Sequence, residues 1–227
     1  MPPDASQTRT RLLDAAAREF AEHGVWNASL IEITRRAGQR NRAALRYHFG
    51  DREAVLCAVL ERHTEFLARR EGELLAKAQR TPADDLAAGV EAVVRPAVEL
   101  AAGGRQGRDC LLIVAELAGE DPARFSPELA AVLDRTGGNE VYALLAERMP
   151  PMATGMLAER FGLVTTFILR SVADRARALE LAGAEHGDGD ARHGARHGAR
   201  PQLGDEAFVE NLVAMVAAAL AAPLPLT

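Results

Sequence analysis

Between Ser29 and Asp51 the chain reads SLIEITRRAGQRNRAALRYHFGD, and its helix starts and stops fall at spacings that leave few alternatives. Ser29 carries a hydroxyl that accepts from an unpaired backbone N–H, and Glu32 three residues later completes a capping box, so a short helix is predicted over residues 30–37. Gly38 ends it, because a residue without Cβ takes the left-handed C-terminal conformation cheaply. Asn41 suits the N-cap of a second helix over residues 42–49, where Leu45 and Phe49 share one face and anchor it inward. Two short helices across a tight turn make a helix-turn-helix. Arg40, Arg42, Ala43, Ala44, Arg46, Tyr47 and His48 then lie on the outward side, a set of donors and small side chains that suits a DNA groove.

The flanks extend this unit. Residues 8–23 carry an apolar stripe of Leu12, Leu13, Ala16, Phe20 and Ala21 with Gly24 as the stop, while residues 1–7 are expected to be disordered. Trp26 is expected to cover a small three-helix core. Taken together, FAEHG, then S-x-x-x-I-x-x-x-AG, then YHF followed by Gly50, Asp51, Arg52 and Glu53, resemble the N-terminal domain of TetR-family transcriptional regulators over about residues 8–55. Thr34 stands where that family usually has Ala, Arg46 where it often has an aromatic, and the turn from Gly38 to Asn41 is one residue longer than the commonest pattern.

The resemblance implies an all-α chain. Residues 1–52 would form a helix-turn-helix DNA-binding domain, and residues 53–227 a helical domain for ligand binding and dimerisation. It further implies a homodimer on a palindromic double-stranded operator, release by an unidentified small molecule, and repression as the usual mode. Tyr47 and His48 are then expected on phosphates, Arg42, Ala44 and Arg46 on base edges, and Ser29, Arg40, Asn41, Ala43 and Arg52 beside them.

Charge agrees once it is divided. Nine arginines and six carboxylates put +3 on residues 1–52, leaving −8 on the rest of a chain with net charge −5. The basic charge thus sits with the reading head, and screening over about 8–10 Å separates it from the acidic part. Arginine alone is no signal here, because Lys77 is the sole lysine among 27 basic residues.

With 48% apolar but only 4% aromatic residues, the chain favours helices. No run of about 18 apolar residues occurs, and the N-terminal stretch lacks a signal-peptide core, so a cytoplasmic protein without membrane contact is expected. Asp51 should cap a long helix to about residue 79, roughly 40 Å, joining head to body. A helix over residues 83–102 contains Pro96, which should kink or split it after Arg95. Gly103, Gly104 and Gly107 mark a loop, residues 109–118 a buried helix, and residues 127–149 a helix that Gly137-Gly138 could interrupt.

Residues 153–182 and 205–222 read as helices apolar beyond one face. Phe161, Ile168 and Val172 on the first, and Phe208, Leu212, Met215 and Val216 on the second, are the expected dimer contacts in a four-helix bundle. Val94, Leu112, Glu116, Phe125, Tyr142 and Phe167 are candidates to line a ligand pocket.

Other readings stay open. Cys57 and Cys110, far apart with no paired spacing, are expected as free core thiols, a redox sensor being the sharper alternative. Residues 183–204, with the repeat RHGARHGAR, are expected as a mobile loop. His186, His193 and His197 offer metal ligands there without a fixed framework, so no metal or cofactor is assigned. No nucleophile–base pair, zinc spacing or phosphate loop points to an enzyme. A regulator controlled by a partner protein rather than a small molecule fits the same sequence.

Overall fold

The computed structural model describes residues 5–41, 43–136, 138–187 and 202–223, and all regular structure among them is helical. The first helix, α1 (Ala5–His23), starts three residues before the expected one, with Thr10 Oγ1 donating to Ser6 O in its first turn. Ala5–Gln7 are therefore ordered, against the expectation for residues 1–7. Leu12, Ala16 and Phe20 are fully enclosed, and Gly24 ends the helix at φ +86°.

The next helix, α2 (Leu30–Arg36), begins as predicted, with Ser29 Oγ accepting from the Glu32 N–H at 3.2 Å. The capping box is not reciprocal. Glu32 turns its carboxylate to Arg35 and Arg36, and the Ser29 N–H donates instead to Glu19 Oε1 of α1 at 3.3 Å. After Gly38, at φ +70°, Asn41 Oδ1 accepts from the Ala43 N–H at 2.9 Å and forms an Asx turn. That turn delays α3 (Ala44–Phe49) by two residues relative to the expected start. Arg42 lies outside the described residues. The long α4 (Arg52–Ala78) is capped by Asp51, whose Oδ1 accepts from the Ala54 N–H at 2.9 Å.

The body follows as α5 (Leu86–Ala102), α6 (Arg105–Leu117), α7 (Pro127–Arg135), α8 (Asn139–Arg148), α9 (Thr154–Gly187) and α10 (Asp205–Leu220). Pro96 does not split α5. Gly107 belongs to α6 rather than to a loop, and its missing Cβ, which would stand 2.0 Å from Leu100 O, lets α6 approach α5. The expected helix over residues 127–149 is divided at Thr136–Gly138, where Gly138 has φ +94°. The turn from α4 to α5 is pinned by Arg148, which donates to Ala78 O at 2.7 Å and to Asp85 O at 2.5 Å. Residues 183–187 continue α9, so the expected loop begins later. His186 falls in that last turn, and His193 and His197 lie outside the described residues.

Helices α5 and α6 form the centre. α5 packs against α4, α8, α9 and α10, while α6 packs against α9 and against α1 of the head. The buried apolar residues make one continuous cluster from Leu12 to Leu220.

This packing decides which faces remain open. Ile168 and Val172 of α9, and Leu212 and Val216 of α10, are enclosed within the chain, so these four expected dimer contacts are used internally. Phe161 lies on the Tyr142 ring at 4.8 Å, and the Arg175 guanidinium covers Phe208 at 4.5 Å. Among the apolar groups left outside on α9 and α10 are Met156, Leu163, Phe167, Leu179, Leu181 and Met215, with Leu163, Phe167 and Met215 exposed by 62%, 43% and 50%.

Candidate functional site

Two regions combine unusual side chains with defined geometry: the outer face of α3 and a space inside the body. On α3, Leu45 and Ala44 turn inward, so Ala44 cannot reach a base edge. Phe49 is held against the head with the Arg9 guanidinium 5.0 Å above its ring. Tyr47 projects from the other side with 85% exposure, and Arg46, Arg40, Asn41 and Ala43 are exposed beside it. His48 is half-buried with its ring edge-on to Tyr47 at 5.3 Å. Ser29 is exposed at the end of α2. Its oxygen accepts the capping bond, leaving the hydroxyl proton to donate outward.

The head's charge is less available than its sequence suggests. Arg18 and Arg36 grip Glu22 and hold its carboxyl down at about 2, and Arg35 with Arg36 does the same to Glu32. Arg36 also reaches Glu19 at 3.3 Å, so this one arginine braces α2 against α1. Arg40 and Arg46 at α3, like Arg9 and Arg11 of α1, are exposed and have no carboxylate partner among the described residues. Arg52 differs: its Nη1 donates to Val25 O at 2.8 Å, which turns it into the fold.

The same turn is held from the body. Glu116, expected to line a pocket, instead receives the Val25 N–H on Oε1 and Oε2 at 2.9 and 3.0 Å. Gly24 permits the approach, since a Cβ there would lie 3.1 Å from Glu116 Oε1. The peptide of Val25 is thus fixed on its N–H by α6 and on its carbonyl by α4. A second tie joins the same elements: Arg62 donates to Asp14 at 2.7 Å and to Gln106 at 3.0 Å, and Gln106 donates to Asp14.

Inside the body a cavity of about 70 Å³ lies between α4, α5, α6, α8 and α9, walled by Leu67, Val93, Ala97, Leu111, Val114 and Leu169. Of the expected pocket residues only Tyr142 lines it, its hydroxyl hydrogen-bonded to Thr165 Oγ1. Val94 and Leu112 pack elsewhere in the core, Phe125 sits at the start of α7, and Phe167 faces outward.

Glu71 was not legible as a site residue. It is one of several carboxylates on α4, yet it lines both this cavity and an open cleft of about 560 Å³ beside it. Its Oε2 is buried without a hydrogen-bond partner, and burial pushes its carboxyl up to about 8. Cys110 borders the cavity with its thiol pushed up to about 12 by burial. Burial, with Glu61 nearby, also raises Cys57, so neither thiol is activated and the redox-sensor reading finds no support. Among the described residues no group of three or more His, Cys, Asp or Glu could hold a metal ion, and no helix is long and apolar enough to cross a membrane.

Comparison with known proteins places both regions. Residues 12–59 match the family described as bacterial regulatory proteins, tetR family, and residues 91–200 match the tetracyclin repressor-like C-terminal domain. The chain belongs to the TetR family.

Two relatives from Pseudomonas putida, the HTH-type transcriptional regulator SrpR and the uncharacterized HTH-type transcriptional regulator TtgW, are each 44% identical over 57 residues. Those residues are 25% of this chain, and 26% and 42% of the two relatives, so the chain spans well under half of the curated relatives it matches. The crystal structure of HlyIIR, a hemolysin II transcriptional regulator, superposes with a TM-score of 0.52 at 16% identity, over 97% of this chain and 100% of that one. It supports the fold alone.

The TetR-family head explains one departure noted in the sequence. Thr34 is buried, and its hydroxyl is satisfied by donating to Leu30 O at 2.9 Å, one turn back along α2. The longer turn before α3 is the Asx turn at Asn41.

Proposed function

We propose that this TetR-family chain is a homodimeric, sequence-specific DNA-binding regulator, a repressor that a small molecule releases from a palindromic operator. The observation that carries the first part is the unpaired outer face of α3, where Tyr47 and Arg46 project from a helix anchored by Leu45. One helix of six residues binds weakly. Two, held at a fixed spacing by a dimer, act on a two-fold site with a high effective concentration. Tyr47, His48 and Arg40 serve phosphates in this reading, and Arg46 a base edge. The exposed Leu163, Phe167 and Met215 supply an apolar face for the second copy.

Coupling between body and head runs along α6. Cys110, Leu111 and Val114 of α6 wall the cavity, and Glu116 of the same helix holds the Val25 peptide. A ligand with different affinity for two positions of α6 would change how the head is held, and so the distance between two heads. The small inner volume favours a second reading, in which a partner protein rather than a small molecule supplies the signal; pockets for drug-sized ligands are usually about 300–1,000 Å³.

The test is binding of the purified chain to short duplexes tiled across the DNA flanking its own gene, at two salt concentrations, beside an Arg46→Ala, Tyr47→Ala variant. Tight dimeric binding to one palindrome, lost in the variant, is expected. Weak binding to every duplex that falls equally with salt and ignores the variant would overturn the reading.

A further inference from the structure

We infer that Glu71 is the anchor of a cationic ligand, an organic ammonium whose short apolar end fills the cavity behind it and whose remainder lies in the cleft in front. This rests on the small-molecule reading above and names its chemical class.

Three observations converge. The carboxylate stands at the boundary of two spaces, an inner one of about 70 Å³ and the open cleft between α4, α7 and α8. Its Oε2 is buried without a partner, so one acceptor position is left for something that enters. Buried polar atoms are otherwise satisfied in most folds, and an orphan at the edge of a cavity calls for an explanation. The cleft also selects the sign of charge. Glu65, Asp134 and Glu140 line it, while its one cation, Arg135, is paired with Glu61 at 2.9 Å. An anion would meet like charge along the cleft, whereas Glu65, Asp134 and Glu140 draw a cation in toward Glu71.

The inner wall fixes the other end of the molecule. Leu67, Val93, Ala97 and Leu111 present apolar side chains, the Thr136 and Thr165 hydroxyls are bonded to Leu133 O and Tyr142, and the volume matches on the order of two water-sized groups, which suits a short alkyl end. The Tyr142 hydroxyl is bonded to Thr165 Oγ1 across the same space.

Proton balance follows from the surroundings. Facing Glu71 are Glu65 on its own helix, Asp134 and Arg135 of α7, Glu140 and Tyr142 of α8, and Cys110 of α6. Desolvation keeps its carboxyl protonated at neutral pH while the site is empty, a backbone hydrogen bond from Gly138 offsetting only part of that effect. An arriving R–NH₃⁺ favours the carboxylate; the carboxyl proton leaves to solvent, and an ion pair forms in its place. Binding therefore releases a proton and strengthens as pH rises from about 6 toward about 8.

The probes are n-butylammonium and n-hexylammonium, titrated calorimetrically into the full chain at neutral pH in phosphate and in Tris, beside n-hexanol and hexanoate. Wild type is compared with Glu71→Gln and with the cavity-filling Ala97→Leu, each checked for folding by its melt. The expected result is ammonium binding that weakens at least tenfold in Glu71→Gln, with up to one proton released in wild type and no comparable binding of hexanoate. Hexanol binding as tightly as hexylammonium, undiminished affinity in Glu71→Gln, or no binding of either ammonium would overturn the inference. Operator binding measured on the same samples separates the two levels. A chain that binds its palindrome but no ammonium leaves the regulator standing, and one that binds no duplex removes the regulator reading itself.

Discussion

Glu71 and Glu116 are both carboxylates on amphipathic helices, and their surroundings give them opposite tasks. Burial pushes Glu71 from 4.5 up to about 8, so between those pH values the folded chain keeps a proton that the unfolded chain has released. Stability therefore falls as pH rises through that window and levels off above it. Glu71→Gln is expected to flatten the slope and to be more stable than wild type at about pH 9 by on the order of a few kcal/mol. Urea unfolding at acid, neutral and alkaline pH reads this directly, and equal slopes in the two proteins would contradict a buried carboxyl. Glu116 is instead satisfied, by the Val25 N–H. Glu116→Ala leaves that donor without its partner at a cost of about 1–3 kcal/mol, and a melt should fall by several degrees. Glu116→Gln keeps an acceptor and should lose less. If alanine and glutamine variants melt together with wild type, the strut carries nothing.

Among the helices, α5 and α6 owe their close approach to one hydrogen atom. A Cβ at Gly107 would stand 2.0 Å from Leu100 O, a backbone atom with no rotamer to escape into. Gly107→Ala is therefore expected to destabilise by about 1–3 kcal/mol, although alanine is the better helix former by about 1 kcal/mol in an open position. Denaturant midpoints decide between the two, because a gain in stability would mean that α6 shifts freely. On α3 the expectation is the reverse. Tyr47 and Arg46 are exposed and touch little, so replacing both by Ala should change stability by less than about 0.5 kcal/mol while removing duplex binding.

In the proposed dimer, assembly uses apolar groups that the chain does not cover itself. Leu163→Glu combined with Phe167→Asp is expected to yield a folded monomer with much weaker operator binding, as light scattering coupled to gel filtration would show. A dimer that persists in this variant would move the interface to another face.

The start and stop signals at Ser29, Gly38 and Asp51 were readable because each is a local event: a side chain or a missing Cβ acting on a backbone group a few residues away. The family signature was readable for the same reason, since its order of residues describes one helix-turn-helix. The outward faces of α9 and α10 were not. Both helices are apolar on more than one side, so periodicity fixes their period but not their rotation, and only packing on α5 and α6 turned Ile168 and Leu212 inward and Leu163 outward. Glu116 and Glu71 belong to the same class. Each reads in the chain as a carboxylate within a helix; one meets Val25, 91 residues away, and the other meets a cavity walled by five helices, and such partners exist only after the helices have packed.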